Sequence, residues 1–188
     1  MRERSLPEER EVMSGFSAPL ATRVVVGVSG SLGSVTVLRR ATALAHRLAA
    51  ELWPVLAWTP PGGDPTGRRS VVADPLNEEW QRMAEHRLTS LLDDLFGEEG
   101  PGLPLHAVIV RGTPGRALLA VADREDDLLV VGAGRRGLRR AFSGRVSRQC
   151  LAHARCPVLA VPPSPLESDL TAVHRRNAWH WRMDIRGL

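Results

Sequence analysis

The feature that most constrains this chain is a set of short apolar runs too continuous to leave one face in water. Residues 23–28 read RVVVGV, and similar runs follow at 52–58, 105–110, 128–131 and 158–161. A half-wet strand alternates apolar with polar side chains, whereas a run apolar at every position is buried on both faces. Such strands belong to a parallel sheet with helices above and below it.

The intervening segments have the helical period. Ser34 is placed as an N-cap, and Val35, Val37, Leu38, Ala41, Leu44, Ala45 and Leu48 then share one helical face. Residues 59–75 carry four Pro and three Gly and predict a loop. Asn77 caps the next helix, with Glu78 and Glu79 in its first turn and Trp80, Met83, Leu88, Leu91, Leu92 and Leu95 as its apolar stripe, ending at Gly97. Shorter helices are predicted at 116–123 and 144–154. Pro54 fits its strand only near the start or on an edge.

With right-handed crossovers these elements make one doubly wound α/β domain, a five-stranded parallel sheet with helices on both faces, at 23–163. Residues 1–22 form a polar N-terminal extension and 164–188 a C-terminal one. The first 22 residues interleave Arg and Glu with no apolar core, unlike a secretory leader, and no run is long enough to span a bilayer. The two cysteines, Cys150 and Cys156, match neither a disulfide framework nor a CxxC motif, so the expected compartment is the cytoplasm. All 25 basic residues are Arg. This is the mark of a GC-rich coding sequence and gives no reason to expect DNA binding.

Doubly wound sheets bind ligands beyond the carboxyl ends of the strands, where strand order reverses. The turns after the first and fourth strands are both glycine-rich here. The fourth strand is followed by GAGRRGLRRAFSGRVS, residues 132–147, with six Arg between 135 and 148 and no acid among them. Glycines let backbone N–H groups approach an anion, and a helix starting near Gly144 aims further donors at the same place. The competing reading is a surface loop with solvated arginines.

The stretch 128–161, LLVVGAGRRGLRRAFSGRVSRQCLAHARCPVLAV, resembles the C-terminal signature of the universal stress protein family. VVVGVSGSLGS at 24–34 resembles that family's first strand and turn, and RGTPGRAL at 111–118 its third crossover. The resemblance spans about 23–161. It implies an adenine nucleotide alpha hydrolase-like fold with strand order 3-2-1-4-5, a homodimer paired through the last strand, and a regulatory stress-response role with at most slow ATP hydrolysis. It also implies ATP, with Mg²⁺, held by Gly27, Val28, Ser29, Gly30, Ser31, Gly132, Gly134, Arg135, Gly137, Gly144, Arg145, Val146 and Ser147.

Three positions depart from the family pattern. Gly132 and Gly134 enclose one residue rather than two, Ser29 replaces an acid expected to meet the adenosine, and Arg145 replaces a small hydroxyl residue. An Arg there either crowds the cradle or grips phosphate bidentately. A nucleotide-free dimeric interaction module is therefore the alternative. An ATP pyrophosphatase-type adenylating enzyme is a further one, since SGSLGS at 29–34 resembles that class's SGGxDS loop; Ser31 and Gly33 depart from it.

No His, Cys and carboxylate set has metal-site spacing, and no GxSxG elbow is present. His46, His86 and His153 fall in helices, His106 in a strand, and Cys156 is expected in the core. In the tail, Trp179, Trp181, Met183 and Ile185 alternate with His180, Arg182, Asp184 and Arg186. That period predicts an amphipathic strand at 179–186 that needs a receiving sheet edge.

Overall fold

The computed structural model describes residues 21–30, 32–60, 75–134 and 144–164. The expected strand at 179–186 lies outside them. The elements are β1 (Arg23–Val28), α1 (Leu32–Leu48), β2 (Glu51–Trp58), α2 (Pro75–Phe96), β3 (Val108–Arg111), α3 (Pro114–Val121), β4 (Asp127–Gly132), α4 (Arg145–His153) and β5 (Val158–Val161). The strands form one sheet in the order β3-β2-β1-β4-β5, with every pairing parallel.

The continuous apolar runs have the expected cause. On β1, Val24, Val26 and Val28 face one layer with Leu38, Ala41 and Ala45 of α1 and Ala84, Leu88 and Leu92 of α2. Val25 faces the other, with Leu118 of α3, Cys150 of α4 and Cys156. Each fully buried aliphatic side chain contributes about 1.5–3 kcal/mol relative to exposure. Burial also pushes the Cys150 thiol up to about 11, so it stays protonated and acts as a small apolar side chain, and Cys156 shares that core.

Several expected boundaries move. α1 begins at Leu32, and Ser34 lies inside its first turn rather than capping it. The buried Ser34 hydroxyl accepts the Ser29 N–H at 2.8 Å, so it serves the end of β1 instead of the helix. α3 starts at Pro114, two residues before Arg116, because proline's fixed φ suits the first helical position.

β3 begins at Val108, not 105, and Pro54 explains the delay. Leu52 N–H bonds Pro104 O and Leu52 O accepts from His106, making an isolated bridge at Leu105. With a strand period of two, residue 54 must supply the next donor on that side, and proline has none. Regular pairing with β3 resumes at Val55.

Trp80 and Met83, placed in the apolar stripe by periodicity, are 36% and 47% exposed. The buried stripe of α2 is Ala84, Leu88 and Leu92.

Candidate functional site

α1 and α2 cover one face of the sheet, α3 and α4 the other, so the chain leaves β1 and β4 in opposite directions. The carboxyl ends of these two neighbours open the crevice where a doubly wound sheet takes its ligand. Its floor is made by Ser29 and Gly30 after β1 and by Gly132, Ala133 and Gly134 after β4. All but Gly134 among these five are exposed.

On the β1 side, the Ser29 and Ser34 hydroxyls lie 3.0 Å apart, closing the turn. Gly30 turns with φ +70°, a conformation side chains disfavour, and an added Cβ would meet the Cδ of Arg87 from α2 at 2.5 Å. Gly27 and Val28 serve packing through their side-chain positions. A Cβ on Gly27 would meet Leu118 at 2.8 Å, and Val28 is in the core.

On the β4 side, Gly132 is extended into the crevice beside Val37 of α1, and Gly134 turns with φ +80°. Ala133 N–H is tied to Val161 O at 2.8 Å, which anchors this turn to β5. Gly144 returns to the same place: a Cβ on it would stand 3.9 Å from Ala133 O and 3.8 Å from the Ser147 hydroxyl.

Gly144 is the N-cap of α4 and gives it no side-chain cap. Its carbonyl accepts from Ser147 Oγ (3.1 Å), Arg148 N (2.9 Å) and Arg148 Nε (3.3 Å), so the buried Ser147 and the exposed Arg148 fix the helix start from behind. The N–H groups of Arg145, Val146 and Ser147 are the first-turn donors that no helical carbonyl reaches. Together with the positive end of the helix dipole they fit an anion. Arg145 extends into solvent at the first helical position.

Of the residues expected at the site, Ser29, Gly30, Gly132, Gly134, Gly144, Arg145, Val146 and Ser147 fall around this crevice; Ser31, Arg135 and Gly137 lie outside the described residues. Sequence reasoning missed Arg87 and Val37. Arg87 was obscured because a long helix with exposed arginines gives no sign of which one reaches a neighbouring turn. Among the described residues, no group of three His, Cys, Asp or Glu is placed to hold a metal ion. No helix among them is long and apolar enough to cross a membrane.

The fold and crevice define a doubly wound protein of the adenine nucleotide alpha hydrolase-like class. The chain belongs to the universal stress protein family, whose model matches residues 21–162. Solved structures with this fold include the universal stress protein UspA from Lactobacillus plantarum, 20% identical with a TM-score of 0.58, covering 75% of this chain and 97% of that one. A universal stress protein from Archaeoglobus fulgidus is 22% identical with a TM-score of 0.53, covering 76% and 98%. A universal stress protein in complex with cAMP is 25% identical with a TM-score of 0.48, covering 74% and 95%. No curated protein sequence matches the chain.

Proposed function

We propose that this chain is a cytoplasmic stress regulator that binds an adenine nucleotide in the crevice between β1 and β4 and acts through conformation and partners rather than through turnover. The observation that carries this reading is the convergence of Gly132–Gly134 and the uncapped start of α4, with Gly144 closing on Ala133. Backbone donors at that spot suit phosphate oxygens. The ligand's phosphates would lie against the N–H groups of Gly134, Val146 and Ser147, and its nucleoside would lie toward Ser29 and Gly30. ATP brings Mg²⁺ with its phosphates as counter-charge, and the chain's part is to bind and orient the ligand.

Arg145 supports the phosphate-gripping alternative over the crowding one. Its exposed side chain starts at the helix N-terminus, beside the first-turn donors. A guanidinium there pairs with two phosphate oxygens at once. Arg145→Ser should weaken ATP binding about tenfold, the loss of one charge-assisted contact. Calorimetric titration of the purified protein with ATP, with and without Mg²⁺, measures it. Tighter binding by the variant would show that Arg145 crowds the cradle, and absence of binding by both would leave the nucleotide-free dimeric module as the better reading. That second reading is favoured by Leu159 on the edge strand β5, 39% exposed.

A further inference from the structure

The α2 side of the crevice contains a cation outside the residues that the family resemblance implies. Arg87 lies on the flank of α2, off the buried stripe of Ala84, Leu88 and Leu92. Its stem crosses the turn after β1: a Cβ on Gly30 would stand 2.5 Å from Arg87 Cδ, 2.8 Å from Cγ and 3.6 Å from Nε. Only a residue without a side chain lets the arginine settle there. Among the described residues Arg87 has no ion-pair partner, and the described turn and helix residues 28–30, 32–36, 132–134 and 144–149 contain no acid.

α2 connects the parallel neighbours β2 and β3, so it runs antiparallel to the strands and its N-terminal half lies toward their carboxyl ends. Trp80, seven residues before Arg87, shares the Arg87 flank by the helical period and stands about 10 Å further out. Trp80 and Met83 are both exposed. The wall above Gly30 is thus an arginine with an apolar shoulder, which suits a phosphorylated nucleoside better than a bare inorganic anion. Arg145 and Arg87 belong to opposite helical layers, one on each lip of the crevice. A ligand with phosphate at both ends offers a charge to each lip.

We propose that Arg87 is a further ligand-binding residue of this crevice, reading an anionic group on the nucleoside end, so that the preferred ligand is an adenine nucleotide bearing phosphate at both ends. This rests on the nucleotide reading above. The Arg87 stem lies against Gly30, and no acid among the described residues pairs with its guanidinium, so a packed stem would have less side-chain freedom to lose on binding a phosphate.

The test is calorimetric titration of the full chain with adenosine 5′-monophosphate and with adenosine 3′,5′-bisphosphate at one ionic strength. Wild type, Arg87→Gln and Arg82→Gln are compared, with thermal melts to show that all three are folded. Arg82 is exposed on the other side of α2 and controls for bulk charge. The bisphosphate should bind wild type about tenfold more tightly, the gain of one charge-assisted contact. Arg87→Gln should reduce that advantage below about twofold, while Arg82→Gln keeps it. Equal affinities in wild type, an advantage that survives Arg87→Gln, or one lost equally in Arg82→Gln would overturn the inference. If the monophosphate binds and only the preference is absent, Arg87 is not a ligand residue and the nucleotide reading stands; if neither binds, both fall.

Discussion

At the residue scale, the molecule's two ends make different use of arginine. Arg145 and Arg87 extend at the crevice, whereas Arg23 is buried at the opposite end of the sheet. Its Nε and Nη2 each donate to a separate oxygen of Asp127 at 2.7 Å, and Nη2 also reaches Asp123 Oδ1 at 2.9 Å and Val121 O at 3.2 Å. Its guanidinium carbon lies 4.9 Å from the centre of the Trp53 ring. Asp127, 1% exposed, also accepts the Arg124 N–H at 3.0 Å. This cluster locks β1 to β4 across 104 residues of sequence. Removing one partner strands a buried charge, so Asp127→Ala should cost about 3–5 kcal/mol in denaturant unfolding, and Asp123→Ala, at an exposed carboxylate, far less. Equal losses from the two would show that Asp127 is not the buried anchor. None of this was legible in the sequence, where Arg23 opens an apolar run and Asp127 closes the acidic stretch 125–127. Pair partners so far apart leave no local pattern.

At the scale of elements, the sequence pattern located every strand and helix among the described residues but not every edge. β1 and β4 follow from apolar runs because burial on both faces leaves no polar position to blur them, and β5 follows from the all-apolar VLAV even though its Leu159 is exposed. β3 was misplaced because Leu105 and His106 share the strand's alternation, while the break comes from Pro54 on the neighbouring strand. Trp80 and Met83 fit a helical stripe, yet the sheet ends before it reaches them, and periodicity carries no information about where a partner surface stops. Pro54→Val tests the account of β3. The variant restores a donor facing the carbonyl of His106, worth about 0.5–1.5 kcal/mol, and frees the unfolded chain at a cost of about 0.4–1 kcal/mol. Stability should therefore change little. The readout is hydrogen exchange: the amide of residue 54 should become protected and that of His106 more so. Fast exchange at residue 54 in a folded variant would mean that something other than the missing donor separates Leu105 from Val108.

At the scale of the whole molecule, the order 3-2-1-4-5 came from the family resemblance and agrees with the structure, whereas spacing alone would have left several orders open. The order has a consequence for assembly. It puts β5 at one end of the sheet, paired to β4 on one side, and its other side has no strand among the described residues. β5 is only VLAV, with no charge or proline to discourage pairing within it. Leu159 on β5 and Leu151 on α4, 39% and 58% exposed, are two of the four large apolar residues exposed among the described ones. A second copy related by a two-fold axis would add its own β5 antiparallel to this one and cover the same residues on both chains. The expected species in solution is a dimer at micromolar concentration. Leu159→Glu places a carboxylate on each side of that axis, where desolvation and like-charge repulsion both oppose pairing. It should shift sedimentation toward the monomer while leaving the fold intact by circular dichroism, because Leu159 contributes little to the buried core of its own chain. A wild type that sediments as a monomer, or a variant that stays dimeric, would place the contact elsewhere.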